Sequence, residues 1–251
     1  MLFRRAITQA MTAVKELDKA MTEIAVVTDF SIGDMWEKLP EYTRRANELG
    51  VAVKDLYAAT GLYYQQGLKG NEVMELGVET MKMARIAGME AADATKAMTA
   101  AIRGFNLEIN EMSGKRVNDV YSQLAAMTAS DTEGIATAMS KTASIAYSAN
   151  MELETTAALL AQIIETTQES PETAGTAMKT IIARFTEVKQ LFDEGMLTGK
   201  DEEGEEININ RIDAALKTVG ISLKDFLNGS KGIDDIFLEL AQKWNTLDIA
   251  T

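Results

Sequence analysis

"SPETAGTAMKTIIARF", residues 170–185, opens on a serine, a proline and a glutamate, runs through small side chains and ends on Ile, Arg and Phe. Ser170 is placed to cap a helix, Pro171 to take the first helical position, where a missing N–H costs nothing, and Glu172 to face the positive end of the dipole. Within it Ala174, Ala177, Met178, Ile181, Ile182 and Phe185 fall at i, i+3, i+4, i+7, i+8 and i+11. That spacing predicts one apolar stripe on a helix. "DATKAMTAAIRGF" repeats it with Ala94, Ala97, Met98, Ala101, Ile102 and Phe105. In both, small residues lead and bulky ones follow. Small side chains let helix axes approach the short end of the usual ~8–10 Å range. A leucine at Ala177 is therefore expected to overpack the seam, at a cost of roughly 1–3 kcal/mol.

The rest of the composition agrees with helix. In 251 residues there are 2 prolines, 6% aromatics and 46% hydrophobic residues, enough for a buried core. A net charge of −13 argues against a general nucleic-acid binder, which needs a basic face to displace counterions. The chain has no cysteine and no histidine, so disulfides, thiolate catalysis, Cys/His zinc sites and imidazole-based triads are excluded. The start "MLFRRAITQAMTAV" lacks the continuous apolar run of a secretory signal. The most apolar stretch, "AALLAQII" at 157–164, falls short of the ~20 residues of a membrane span.

Helix starts are expected at Ser130 with Glu133 as a capping box, at Ser222 with Asp225, and at Asn71 as the cap of "EVMELGVETMKMARIA". Stops recur in one form: a Gly or Asn, an apolar residue, then a new start. They fall at Gly50, Gly88, Asn150 and Gly220. Gly and Asn suit the left-handed position after a helix, and an Asn in the series points to conformation, not size, as the requirement. Unequal spacing rules out a solenoid of fixed period. The reading is helices at 2–27, 33–48, 53–65, 72–87, 91–104, 111–128, 132–148, 153–168, 171–190, 211–219, 223–228 and 233–246. Between them, "DEGMLTGKDEEGEEININ" loses the period and reads as an acidic loop or a small hairpin, with Ile207 and Ile209 alternating. The predicted fold class is all-α: a multi-helix bundle of successive helical hairpins over 1–190, the loop or small β-hairpin at 191–210, and a small helical segment at 211–251 that reads as truncated.

Motifs for chemistry fail one by one. "DEEGEE" at 201–206 does not supply the EF-hand ligand order, since Gly199 and Asn210 stand at its ends. "GMLTGKD" has Asp201 where a phosphate loop needs Ser or Thr, and no Ser-x-x-Lys occurs. The 38 acidic residues offer carboxylate pairs, with few aromatics to line a sugar cleft, so a solvated surface is their expected role. Met74, Met81, Met83, Met98, Met139 and Met178 read as core filler before they read as a binding groove. Trp36 and Trp244 read as core or interface anchors. No catalytic, cofactor or metal residue is expected, and the chain is predicted not to be an enzyme.

Residues 121–189 nonetheless resemble the core region of phage tail tape measure proteins. The parts are "DTEGIATAMSKTASIAYSAN", "MELETTAALLAQIIETTQES" and "PETAGTAMKTIIARF", in that order. Gly175, Thr176, Ala177, Lys179, Arg184 and Phe185 match the family's Gly-Thr-Ala to Arg-aromatic motif. "EIAVVTDF", "LYAATGLYYQQGL" and "GMEAADATKAM" resemble the start of that core, and "RIDAALKTVGISLKDFLNGSKGIDDIFLELAQKWNTL" the segment after it. Two departures stand out. Asn150 replaces a turn glycine, and Glu90 and Glu152 replace capping serines.

The resemblance implies a structural protein of the tail lumen, present in the host cytoplasm during assembly. Such a protein templates tube polymerisation, helps set tail length and leaves before the genome. Its implied partners are tail tube protein, tail assembly chaperones and baseplate or distal tail proteins, with self-association, a trimer included, and neither nucleic acid nor membrane. The competing reading is a helical adaptor unrelated to phage, binding partner helices through a Met/Ala-rich face.

Overall fold

The computed structural model describes residues 2–200 and 204–244. Among them the helices are α1 (Leu2–Val27), α2 (Ile32–Leu49), α3 (Val53–Gln65), α4 (Asn71–Ala87), α5 (Ala91–Gly104), α6 (Glu111–Met127), α7 (Thr132–Ser148), α8 (Leu153–Thr167), α9 (Pro171–Asp193), α10 (Ile209–Thr218), α11 (Leu223–Leu227) and α12 (Ile233–Trp244). The only strands among the described residues are β1 (Thr198–Lys200) and β2 (Glu206–Asn208), paired antiparallel with Gly199 opposite Ile207. The chain is all-α apart from this hairpin. Ile207 and Ile209 are both buried, but Ile209 opens α10, where Asn208 caps by accepting from the Arg211 N–H at 3.1 Å. The residues form two compact units, Met1–Ala136 and Thr137–Thr251, with the division inside α7.

One corner is built four times. Gly50, Gly88, Asn150 and Gly220 have φ of 66°, 73°, 58° and 70°. In each case the next, apolar residue donates its N–H back across the helix end: Val51 to Ala46, Met89 to Ala84, Met151 to Ala146 and Ile221 to Leu216, at 2.9–3.0 Å. This double closure satisfies carbonyls that the helix end leaves open. The residue after that is the extended first cap of the following helix: Ala52, Glu90, Glu152 or Ser222. None of these four caps uses its side chain, so the glutamates at 90 and 152 do the same local job as any other residue. The expected Ser222–Asp225 capping pair is accordingly not formed.

Two other caps differ from expectation. Helix α7 is capped by Asp131, whose Oδ1 accepts from Gly134 at 2.6 Å, one residue later than Ser130. Helix α4 begins at Asn71 itself, with Gly70 as cap at φ 80°. Ser170 behaves as read: its hydroxyl accepts from the Thr173 N–H at 3.2 Å, with Pro171 as the first helical residue. Helix α2 carries Pro40 in its interior, and its start is locked by a full capping box between Ser31 and Asp34.

In the first unit α3 is the central rod, packed against α1, α2, α4 and α5. Leu56, Tyr57, Ala59, Thr60, Gly61, Tyr63 and Tyr64 are all buried on it, and the line from Lys54 through Ala58 to Gln65 reaches water. Helices α4, α5 and α6 pack on one another around Leu76, Met81, Met98 and Val117. In the second unit α8 and α11 pack on α9, and α10 packs on α11. All six methionines named from the sequence are buried, Met74 being the most exposed at 9%. Core filling is their role. Trp36, by contrast, is 40% exposed on α2 and is no core anchor. The side chain of Trp244 lies outside those described.

Candidate packing seams and surfaces

Gly175 sits where α9 crosses α7. A Cβ there would lie 2.5 Å from the carbonyl oxygen and 2.9 Å from the Cα of Ala138. Real side chains do not approach backbone so closely, so the two helices meet backbone to backbone at this point. Thr142, fully buried one turn further along α7, places its hydroxyl between the carbonyls of Ala138 (3.1 Å) and Gly175 (3.0 Å). The buried face of α9 is Ala174, Gly175, Met178, Ile182 and Val188. Ala177 and Ile181, assigned to that stripe by spacing, are exposed, Ile181 by 39%. The reason is angular. At ~100° per residue, Gly175 lies on the opposite flank of the stripe from Ala177, and the close approach at glycine turns α9 toward its own side. The overpacking expected at Ala177 therefore belongs to Gly175.

Thr176 faces water and bonds back to the Glu172 carbonyl at 2.8 Å. Arg184 lies 3.8 Å from Glu187 on the same helix. Phe185, half-buried, meets Phe226 of α11 edge to face at 5.4 Å and Phe237 of α12 at 6.2 Å. The carbonyl of Gly220 accepts from Lys243 of α12. The eight residues singled out from sequence thus do not converge on one spot. Gly88 belongs to the first unit; of the others, Thr176 and Ala177 lie on the exposed flank of α9 and the rest at corners, seams or the Arg184–Glu187 pair of the second.

Periodicity missed the polar contacts between helices. Tyr42 stacks on Tyr57 with centroids 3.7 Å apart, and its hydroxyl donates to Thr60 at 3.0 Å. The Tyr63 hydroxyl meets that of Thr80 at 2.6 Å. Thr60 and Thr80, like Thr142, also bond their own helix one turn back, at 3.0 and 2.9 Å. Thr60 and Thr80 each spend their hydrogen on the backbone and offer a lone pair to the neighbouring tyrosine, whereas the Thr142 hydrogen is shared between two carbonyls. Glu79, 2% exposed, has its carboxylate bound by Asn118 Nδ2 of α6 at 3.1 Å and by Lys82 at 2.5 Å. The same Asn118 amide reaches the Glu79 carbonyl at 2.9 Å. Gly114 makes room for this pair, since a Cβ there would stand 3.0 Å from Glu79 and Leu76. The sequence signal was present: an Asn mid-helix on the buried face of α6 has to find a partner.

One open groove of about 460 Å³ runs beside Phe30 and Tyr64, with Val26, Val27, Leu68 and Gly70 on its walls. Among the described residues no group of three acidic side chains is placed to hold a metal ion, and no helix is long and apolar enough to cross a membrane. Asp201, Glu202 and Glu203 of the acidic run lie outside the described residues.

Fold and contacts together define a helical packing protein, one whose built features are seams and corners. Its sequence places it further. The chain belongs to the phage-related minor tail protein family, whose model matches residues 43–251. It is 29% identical over 196 residues to the tape measure protein of Pneumococcus phage Dp-1, an alignment covering 74% of this chain and 17% of that protein. The chain thus spans a small part of the length of the relative it matches. No solved structure matches it.

Proposed function

We propose that this chain is a segment of a tail tape measure protein. In this reading it works by occupancy, without turnover: it templates tube polymerisation from within the tail lumen, helps determine tail length and leaves before the genome. Residues 1–190 form the core region and 211–251 the segment that follows it. The observation that carries the reading is the family match running through every helix from α3 onward, joined to the likeness to a tape measure protein. Tail tube protein, assembly chaperones and distal tail proteins are the partners it implies, with assembly beginning in the host cytoplasm.

The corners refine it. The longest described helix, α1, has 26 residues and at ~1.5 Å each reaches only about 39 Å. Corners at Gly50, Gly88, Asn150 and Gly220 fold the chain back instead of extending it. The segment therefore acts as a folded module, and extended helix elsewhere in the full protein measures length. The adaptor alternative loses its main support, because the methionines it relied on are core. Electron microscopy of particles whose tape measure lacks the stretch from α3 to α9 is the test. Absent or shortened tails are expected; tails of normal number and length would refute the role.

A further inference from the structure

Two helix ends in the first unit are each held by a cation from the helix two places further on. Arg85, in the last turn of α4, donates to the carbonyl of Leu49, the final residue of α2. Arg103, in the last turn of α5, donates to the carbonyl of Gln66, the C-cap of α3, at 3.4 Å. The second unit repeats the form once: Lys243, in the last turn of α12, donates to the carbonyl of Gly220 in the corner after α10. Glycine admits the cation. A Cβ at Gly50 would collide with the Arg85 guanidinium, and one at Gly220 would stand 3.1 Å from the Lys243 ammonium.

Electrostatics say what these contacts do. A helix leaves its last carbonyls open and carries about half a negative charge at that end. α2 packs on α4 and α3 on α5, and the two arginine bonds bring their C-terminal ends together, so like poles lie side by side. One cation between two such ends offsets both. Helices α6, α7, α8 and α9 have no basic residue in the last turn, so the corners at Gly88, Asn106 and Asn150 receive no cation of this kind. We propose that Arg85 and Arg103 are latches, each making a corner depend on a helix that is not part of it. The Gly50 corner keeps its full closure only while the end of α4 is seated, and the Gly67 corner only while the end of α5 is seated. Corners at Gly88 and Asn106 carry no such condition. Opening of the first unit is thereby ordered, with the later helix end released before the earlier corner straightens. Latching belongs to the folded chain and holds whether or not the chain acts in a tail.

Hydrogen exchange of the full chain, read amide by amide, tests it. The Val51 amide closes the Gly50 corner on Ala46, and the Met89 amide closes the Gly88 corner on Ala84, beside Arg85 itself. Arg85→Met keeps an unbranched apolar stem and removes the donor. It should speed exchange at Val51 about fivefold and leave Met89 within about twofold. Arg103→Met should act likewise on Leu68, which donates to Tyr63, and spare Leu107, which donates to Ile102. Arg85→Lys, still a cation, should keep most of the protection at Val51. In dilute urea the wild-type Val51 should open no earlier than Met89, and Arg85→Met should reverse that order. Faster exchange at Met89 with Val51 unchanged would make Arg85 a cap of its own helix and overturn the latch. An equal rise throughout the unit, no change at Val51, or a lysine variant no better protected than the methionine one would overturn it too.

Discussion

Gly175 is a glycine because there is no room for anything else. A methyl group would be driven into the Ala138 backbone, which cannot swing aside as a side chain can. Gly175→Ala gains up to ~1 kcal/mol of helix propensity and is still expected to lose roughly 1–3 kcal/mol overall, because α7 and α9 must separate. Ala177→Leu, two residues away on the exposed flank, should change stability by less than about 0.5 kcal/mol. Urea denaturation of the two variants side by side checks the pair, and an equal effect at both would put the seam elsewhere. Asn118 acts through charge, not space. Removing its amide leaves a buried carboxylate with Lys82 as its remaining side-chain partner. Asn118→Ala should cost roughly 2–3 kcal/mol, and the double replacement of Glu79 and Asn118 by leucine should cost less than that single change. A double variant weaker than the single would show that the pair is more than mutually compensating.

At the scale of elements, two kinds of helix start coexist. Corners such as Gly88-Met89-Glu90 hold their next helix through the backbone alone, whereas α2 is begun by side chains. The Ser31 hydroxyl accepts from Asp34 N–H at 3.1 Å while the Asp34 carboxylate accepts from Ser31 N–H at 2.6 Å. The backbone bond, helped by the Ser31 hydroxyl, holds the Asp34 carboxyl below its usual range. Its contribution is therefore fully present above the ordinary carboxylate pKa and is lost as pH falls through the lowered value. Ser31→Ala should cost about 1 kcal/mol at neutral pH. The difference between wild type and Ser31→Ala should shrink on acidification, as read by thermal melts from neutral pH downward. A constant difference would mean that the Ser31 hydroxyl does not act on the Asp34 carboxylate.

For the molecule as a whole, the response to alkali is set by buried phenols. Burial pushes Tyr42, Tyr57, Tyr63, Tyr64 and Tyr121 above the ordinary tyrosine value. A raised folded-state pKa means that the native chain keeps protons which the unfolded chain gives up above about pH 10. Stability is thus full below that point and falls steadily as pH rises past it. All five lie in the first unit, four of them in α2 and α3, so that unit should fail in alkali ahead of the second. Backbone hydrogen exchange and far-ultraviolet dichroism between pH 8 and 12, a range chosen to bracket that value, would register it. Parallel loss in both units would contradict the assignment of the effect to these side chains.

Local rules carried far in this chain. The helical period and the Gly/Asn-apolar pair located nearly every rod and corner, because a left-handed residue and a helix end are decided within a few bonds. The same two-residue form also occurs at Gly67-Leu68, Asn106-Leu107 and Gly195-Met196, where the structure closes helix ends in the same way. Those three carry the same local signal as the other four. Other features were not written locally. Which flank of α9 turns inward, whether Trp36 is covered, and how Asn118 meets Glu79 39 residues away depend on where a second helix passes. Spacing along one helix defines a stripe to within about one residue's rotation, ~100°, and only the neighbouring rod selects the line of contact within it. The sequence by itself determined the rods, the corners and the absence of thiol and imidazole chemistry; the tertiary structure decided the seams, because contact between helices is a property of two surfaces and not of one.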